Sequence, residues 1–172
     1  AVRAAGVRVV ALRINRIADF TRATRLIGRL TNRSDRARNV IDSVTATLDR
    51  VRRATSVLPH PRIFIHTWEN PLLTLGGGSF ISELVTIAGA ENIFADQESP
   101  SPQVSFEEVL RRNPDGILGG PQTAAALSKS PRWQALPAVQ QGRTWVRDTI
   151  VVVKPSVRLG EAAGARARPF HR

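Results

Sequence analysis

The residues of this 172-residue chain that could do chemistry are few and widely spaced. It has no cysteine, which removes thiolate nucleophiles, thiolate metal sites and disulfides together. Its histidines, His60, His66 and His171, fall on a linker, a strand end and the terminus, a spacing that does not serve one metal. No GxSxG elbow, Walker A loop or HExxH helix occurs. Gly76-Gly77-Gly78-Ser79 stands at a helix start and could cradle an anion, but it lacks the lysine of a phosphate loop and the spacing of a dinucleotide fingerprint. It reads as a tight turn, and Gly119-Gly120-Pro121 reads as a turn after a strand. By subtraction the chain is expected to bind rather than catalyse, with no catalytic residue, no metal site and no cofactor.

The elements that must position a binding site show in the periodicity. Val7–Leu12 is a short β-branched run that reads as a buried strand, with no earlier strand to pair with. Ile17, Phe20, Ile27 and Leu30 recur at helical spacing, as do Val40, Val44, Leu48 and Val51 in a second, long helix ending near Ser56. Asn32 or Ser34 is the expected cap between the two. From Pro61 the pattern alternates between strands and helices. Strands are expected at Arg62–His66, Asn92–Phe94, Gly116–Leu118 and Thr144–Arg147. Helices are expected at Ser79–Ala88, Ser105–Arg112, Thr123–Leu127, Arg132–Ala138 and Val157–Arg168. Ser79 and Ser105 are natural N-caps, Glu108 completes a capping box with Ser105, and Gly89 is a helix stop. Such alternation predicts an α/β fold, a Rossmann-like three-layer lobe with a mainly parallel sheet preceded by a long hinge helix.

Composition agrees with an ordinary globular protein: 42% of residues are hydrophobic and 23% charged. The length suits one packed domain with an appendage rather than two full α/β domains. No apolar run approaches the roughly 18 residues of a membrane span, and the opening residues are not expected to be a signal peptide. It begins on Ala1 and has no Met, which leads us to expect a processed or truncated product. The 25 basic and 14 acidic residues leave a net charge of +11. That excess could mark a cationic module for nucleic acid or anionic surfaces. The arginines, however, are scattered through both halves of the chain without interleaved aromatics, so no nucleic-acid partner is expected.

The stretch 88–118, AGAENIFADQESPSPQVSFEEVLRRNPDGIL, carries a more specific signal. It resembles the C-terminal lobe of the vitamin B12-binding and iron-siderophore-type substrate-binding proteins of ABC transporters, within the periplasmic binding protein family. SFISELVTIAGAENIF and RIFIHTWENP precede it in the family's order, and RTWVRDT and KPSVRLGEA follow. AGVRVVAL, IADFTRATRLIGRLTNRSDRA and the long helix match the end of an N-terminal lobe and the interlobe helix. The resemblance runs from about Ala5 to Arg168.

It implies two Rossmann-like lobes joined by a helix, with ligand held between them and delivered to an inner-membrane permease from the periplasm. Residues 1–14 would then be a remnant of an N-terminal lobe, 15–58 the helical linker and 59–172 the C-terminal ligand-binding lobe, the N-terminal lobe being mostly absent. The ligand would be cobalamin or a related corrinoid, with an iron–siderophore or haem as the alternative. Thr67, Trp68 and Glu69 would stand at the cleft edge, with Trp68 either stacking on a flat macrocycle or packed in the core. Asp148 matches a position that bonds the ligand periphery. Val152 and Ser101 stand where B12 binders carry an arginine and a tryptophan. Glu107 would dock on the permease, Glu108 serving the helix end. Lacking a partner lobe, the N-terminal strand and helices would be covered by a homodimer or strand exchange, or left loose.

Overall fold

Residues 17–55 form a helical hairpin, and residues 62–146 form a sheet-and-helix unit packed against it. The computed structural model describes residues 9–121 and 123–146. Calls at residues 7–8 and from 147 onward, including the helix Val157–Arg168, the end of the last strand and the loop after it, lie outside these.

Four short strands, β1 (Arg62–Ile65), β2 (Glu91–Asn92), β3 (Gly116–Gly119) and β4 (Thr144–Val146), form a wholly parallel sheet in the order β2-β1-β3-β4. Parallel strands need covering on both faces, hence the unbroken apolar run of β1. Phe64 enters one core with Phe94, Phe106, Val109, Ile117 and Trp133. Ile63 and Ile65 enter the other with Val85, Ala88 and Leu118. The first face is covered by α4 (Phe106–Arg112), α5 (Thr123–Lys129), a 3-10 turn (Trp133–Ala135) and α6 (Pro137–Gln140). The second is covered by α3 (Phe80–Ile87).

Helix α3 is apolar nearly all round because it is buried twice. Its outer side packs on the hairpin of α1 (Ile17–Leu30) and α2 (Ser34–Thr55), where Phe20, Val44 and Leu48 meet Phe80, Ile81, Leu84 and Ile87. Its one charged residue, Glu83, ties the start of α1. Glu83 accepts from the Ile17 amide at 2.9 Å and pairs with Arg16 at 3.1 Å. Asp19 accepts the amides of Asn15 and Arg16, each at 3.0 Å, which hold its carboxyl below the usual range. At the far end the Thr55 hydroxyl donates to the Ile87 carbonyl at 2.9 Å. The two hairpin helices approach closely at Gly28, where a Cβ would lie 2.4 Å from that of Ala37.

Two expectations are corrected. Neither Asn32 nor Ser34 caps α2: Asn32 takes a left-handed conformation (φ 57°) to turn the chain, so the cap position falls on Arg33, whose side chain makes no cap bond. The strand expected at Val7–Leu12 does not form over its described residues 9–12, which pair with none of the four strands and leave Val9, Val10 and Leu12 exposed. A β-branched run becomes a strand only where a neighbour takes up its amides.

Candidate functional site

The chain leaves β1 toward β2 on one side and returns across β1 to β3 on the other. The loops after β1 and β3 therefore diverge over a crevice at the carboxyl ends of the strands, where open α/β sheets take ligands. Three segments build its edge. After β1 the chain doubles back: the Thr67 amide and hydroxyl both donate to the Leu73 carbonyl, at 3.2 and 2.8 Å, and the Leu73 amide donates to Trp68 at 2.9 Å. The buried Thr74 hydroxyl closes the turn on the Ile65 carbonyl at 2.7 Å. The segment after β2 then lies alongside, with Thr74 donating to Pro102 at 3.1 Å and Val104 to Leu72 at 3.0 Å.

The glycine run has a different use from a turn alone. A Cβ on Gly76, Gly77 or Gly78 would lie 2.2, 2.1 and 2.1 Å from the carbonyl oxygens of Ser99, Ala95 and Glu98 respectively. Glycine is needed there so that the two loops can touch backbone to backbone. Carbonyl oxygens face these positions, which argues against an anion cradle. Below them the buried Asn92 amide donates to Leu75 at 2.7 Å and to the Ser82 hydroxyl at 3.0 Å, and its oxygen accepts from Phe94 at 3.1 Å.

Thr67, Trp68 and Glu69 come together on this edge, but they face different ways. Trp68 is 62% exposed, and its indole N–H is satisfied within the turn by the Asn70 carbonyl at 3.0 Å. Of the two readings of Trp68, core packing is thus removed. Glu69, its side chain still 50% exposed, reaches back to two buried groups instead: one carboxylate oxygen lies 2.8 Å from His66 Nε2 and the other accepts from Trp133 Nε1 at 3.1 Å. Ser101 is exposed in the bend between Pro100 and Pro102. Asp148 and Val152 lie outside the described residues. No group of His, Asp and Glu that could hold a metal occurs among the described residues, and none of their helices is long and apolar enough to cross a membrane.

Glu107 is exposed in the first turn of α4. Its own amide and the Ser105 hydroxyl hold its carboxyl below the usual range, with Arg132 adding to the effect. The division of labour expected at this helix end is corrected. Ser105 does cap, accepting from the Glu108 amide at 3.1 Å. The Glu108 side chain, however, is drawn forward by two cations, bonding Arg111 and Arg112, the latter at 2.6 Å. A charge-assisted pair outcompetes the reach back to a neutral amide. Sequence reasoning also missed the His66–Glu69–Trp133 cluster. The three-residue spacing of His66 and Glu69 was the only local signal, and Trp133 joins them from a distant crossover.

A doubly wound parallel lobe with its loops gathered at the switch point, packed on a helical hairpin, is the architecture of a solute-binding lobe. The family model described as periplasmic binding protein matches residues 2–148, and the chain belongs to that family. The match places it among binding proteins, not enzymes. Among curated relatives it is 37% identical over 102 residues to the vitamin B12-binding protein of Vibrio cholerae, covering 59% of this chain and 37% of the relative. It is 39% identical over 87 residues to the vitamin B12-binding protein of Pectobacterium carotovorum, covering 49% and 32%. The match thus spans about a third of these relatives' own length.

Solved structures share the fold at lower identity. A possible iron-binding, periplasmic solute-binding protein from Staphylococcus epidermidis superimposes with a TM-score of 0.87 at 21% identity, covering 99% of this chain and 69% of that one. The periplasmic vitamin B12-binding protein of Vibrio cholerae gives 0.80 at 24%, covering 98% and 67%. The Staphylococcus aureus protein IsdE, solved with haem, gives 0.87 at 17%, covering 99% and 71%.

Proposed function

We propose that the chain is part of the substrate-binding component of an ABC importer, working on the extracytoplasmic face of a bacterium and handing a corrinoid such as cobalamin to an inner-membrane permease. The observation that carries the reading is the exposed Trp68 ring, held on a hydrogen-bonded edge at the switch point of the sheet. A flat, exposed aromatic face suits a flat macrocycle. The names of the curated relatives favour a corrinoid. The second reading, haem or an iron–siderophore, is favoured by Ser101 and Val152, which depart from the B12-type pattern, and by one fold neighbour solved with haem and another named for Fe3+-hydroxamate transport. Glu107 would present its carboxylate to a basic side chain of the permease. Its exposure and low proton affinity suit that role.

The test is a titration with cyanocobalamin, haemin and a ferric siderophore, followed by tryptophan fluorescence. A macrocycle seated on the edge quenches Trp68, and Trp68→Phe removes most of that quenching. If a two-lobed version of the protein binds none of the three, the transport reading falls. In the same two-lobed protein Glu107→Arg should reduce uptake and leave ligand affinity unchanged. Equal uptake by variant and parent would remove the docking role.

A further inference from the structure

Trp68 and Glu69 are neighbours where the bridge of Trp68 to Leu73 passes into a turn, and their side chains part ways. The half-exposed Glu69 carboxylate bonds two buried groups, and the Trp68 ring stands outward. We propose that Glu69 is the positioning residue of the candidate site: it clamps the loop after β1 to the segment after β3 and thereby holds the Trp68 ring outward for a flat ligand. The part that concerns ligand rests on the reading of Trp68 given above.

The two donors of the clamp are both buried. His66 sits directly after β1, buried, its amide bonded to the Leu118 carbonyl at 2.9 Å. Trp133 is 1% exposed, stacked on Phe64 with ring centroids 5.8 Å apart and set edge-on to Phe106 at 4.9 Å and to His66 at 5.6 Å. An ionised carboxylate only accepts, so His66 carries its proton on Nε2 toward Glu69. Nδ1 is left to accept from the Thr123 hydroxyl at 3.4 Å. The two donors stand on opposite sides of the switch point, one at the end of β1 and one in the crossover between β3 and β4. Joining them through Glu69 adds a side-chain tie, from the outer part of the turn to both sides of the switch point, to the backbone bonds that close Thr67–Leu73. With the anchor gone, the turn could rotate and lay the exposed indole onto the apolar surface around Leu73, which water favours.

Acrylamide quenching of the ligand-free protein tests the clamp independently of any ligand, the Trp68 contribution being isolated by difference against Trp68→Phe. Glu69→Ala and Trp133→Phe should each move the accessibility of Trp68 toward that of a buried tryptophan. Glu69→Gln should restore it, because its carbonyl still accepts the indole N–H of Trp133 and His66 can exchange tautomers to meet the amide. Cyanocobalamin or haemin should bind Glu69→Ala about tenfold more weakly, the loss expected for one hydrogen bond to a charged group. Trp68 equally accessible in parent and Glu69→Ala, with far-UV circular dichroism unchanged, overturns the proposal. So does failure of Glu69→Gln to differ from Glu69→Ala. If accessibility changes as expected while no form binds either macrocycle, the clamp stands and the ligand reading falls. If Trp133→Phe does not fold, the comparison of Glu69→Ala with Glu69→Gln decides.

Discussion

Arg112 joins two segments of the α/β unit, the loop after β2 and helix α4, at one guanidinium. It grips Asp96 with two bonds of 2.7 and 2.9 Å, bonds Glu108 at 2.6 Å, donates to the Ile93 carbonyl and lies 4.4 Å over the Phe94 ring. The loop after β2 is thereby tied to α4. Replacing Arg112 with Ala orphans the Ile93 carbonyl and should lower unfolding stability by about 1–3 kcal/mol at neutral pH, read from urea midpoints. The same pairing makes a pH prediction. Bonds from Arg112 hold both Asp96 and Glu108 below their ordinary values of 3.8 and 4.5. A carboxylate whose folded pKa is depressed stabilises the fold above its unfolded pKa and loses that contribution as pH falls through the folded one. The gap between parent and Arg112→Ala should therefore narrow below about pH 4, and a gap constant from neutral pH down to acid would refute the account. At this scale the sequence spoke for short-range chemistry only. The hydroxyls of Ser79 and Ser105 cap as their positions indicated. The forward pull on Glu108 and the reach of Glu69 to buried groups depend on Arg112 and Trp133, whose approach is set by the tertiary fold.

Among the elements, the glycine run and α3 are the parts whose sequence is most constrained by neighbours. Gly77→Ala would drive a Cβ onto the Ala95 carbonyl, 2.1 Å away. Backbone cannot yield as a side-chain tip does, so the expected cost is about 1–3 kcal/mol. Thermal melts of the alanine variant should show a lowered midpoint, whereas one matching the parent would mean that the two loops are free to part. Leu48 on α2 is 5% exposed against Leu84 and its neighbours on α3. Leu48→Ala should cost about 2–5 kcal/mol in the same measurement. Helix spacing announced α1 and α2 clearly, because their apolar stripes face one direction. It also announced the alternation of strands and helices after Pro61. What it could not announce was the partner of each stripe: that α3 serves two cores, or that Val9, Val10 and Leu12, patterned like a strand, pair with none of the strands described.

For the whole molecule, a net charge of +11 is the feature that transport alone does not explain. Some of the arginines are matched locally: Arg22–Asp19, Arg38–Asp35, Arg52–Asp49 and Arg111–Glu108 are pairs one helical turn apart. Such pairs stud solvated helix faces and offer no stacking platform for bases. Duplex DNA should therefore be retarded only weakly in a gel, and the retardation should vanish as salt rises without any sequence preference. Tight binding that survives physiological salt would instead favour the cationic-module alternative.

Leu75 belongs to the loop that follows Trp68, and it packs both on the α1–α2–α3 cluster and on the sheet's second core. Mechanically it is a fulcrum. A torque applied to the hairpin reaches the edge of the crevice through α3 and Leu75, with no slack segment between. The hairpin and the crevice edge are therefore expected to move together. Hydrogen exchange offers the check: amides of α3 and those hydrogen-bonded within the Thr67–Thr74 turn should open together, at the rate of global unfolding. Early exchange of the turn alone would mean that the two part at Leu75.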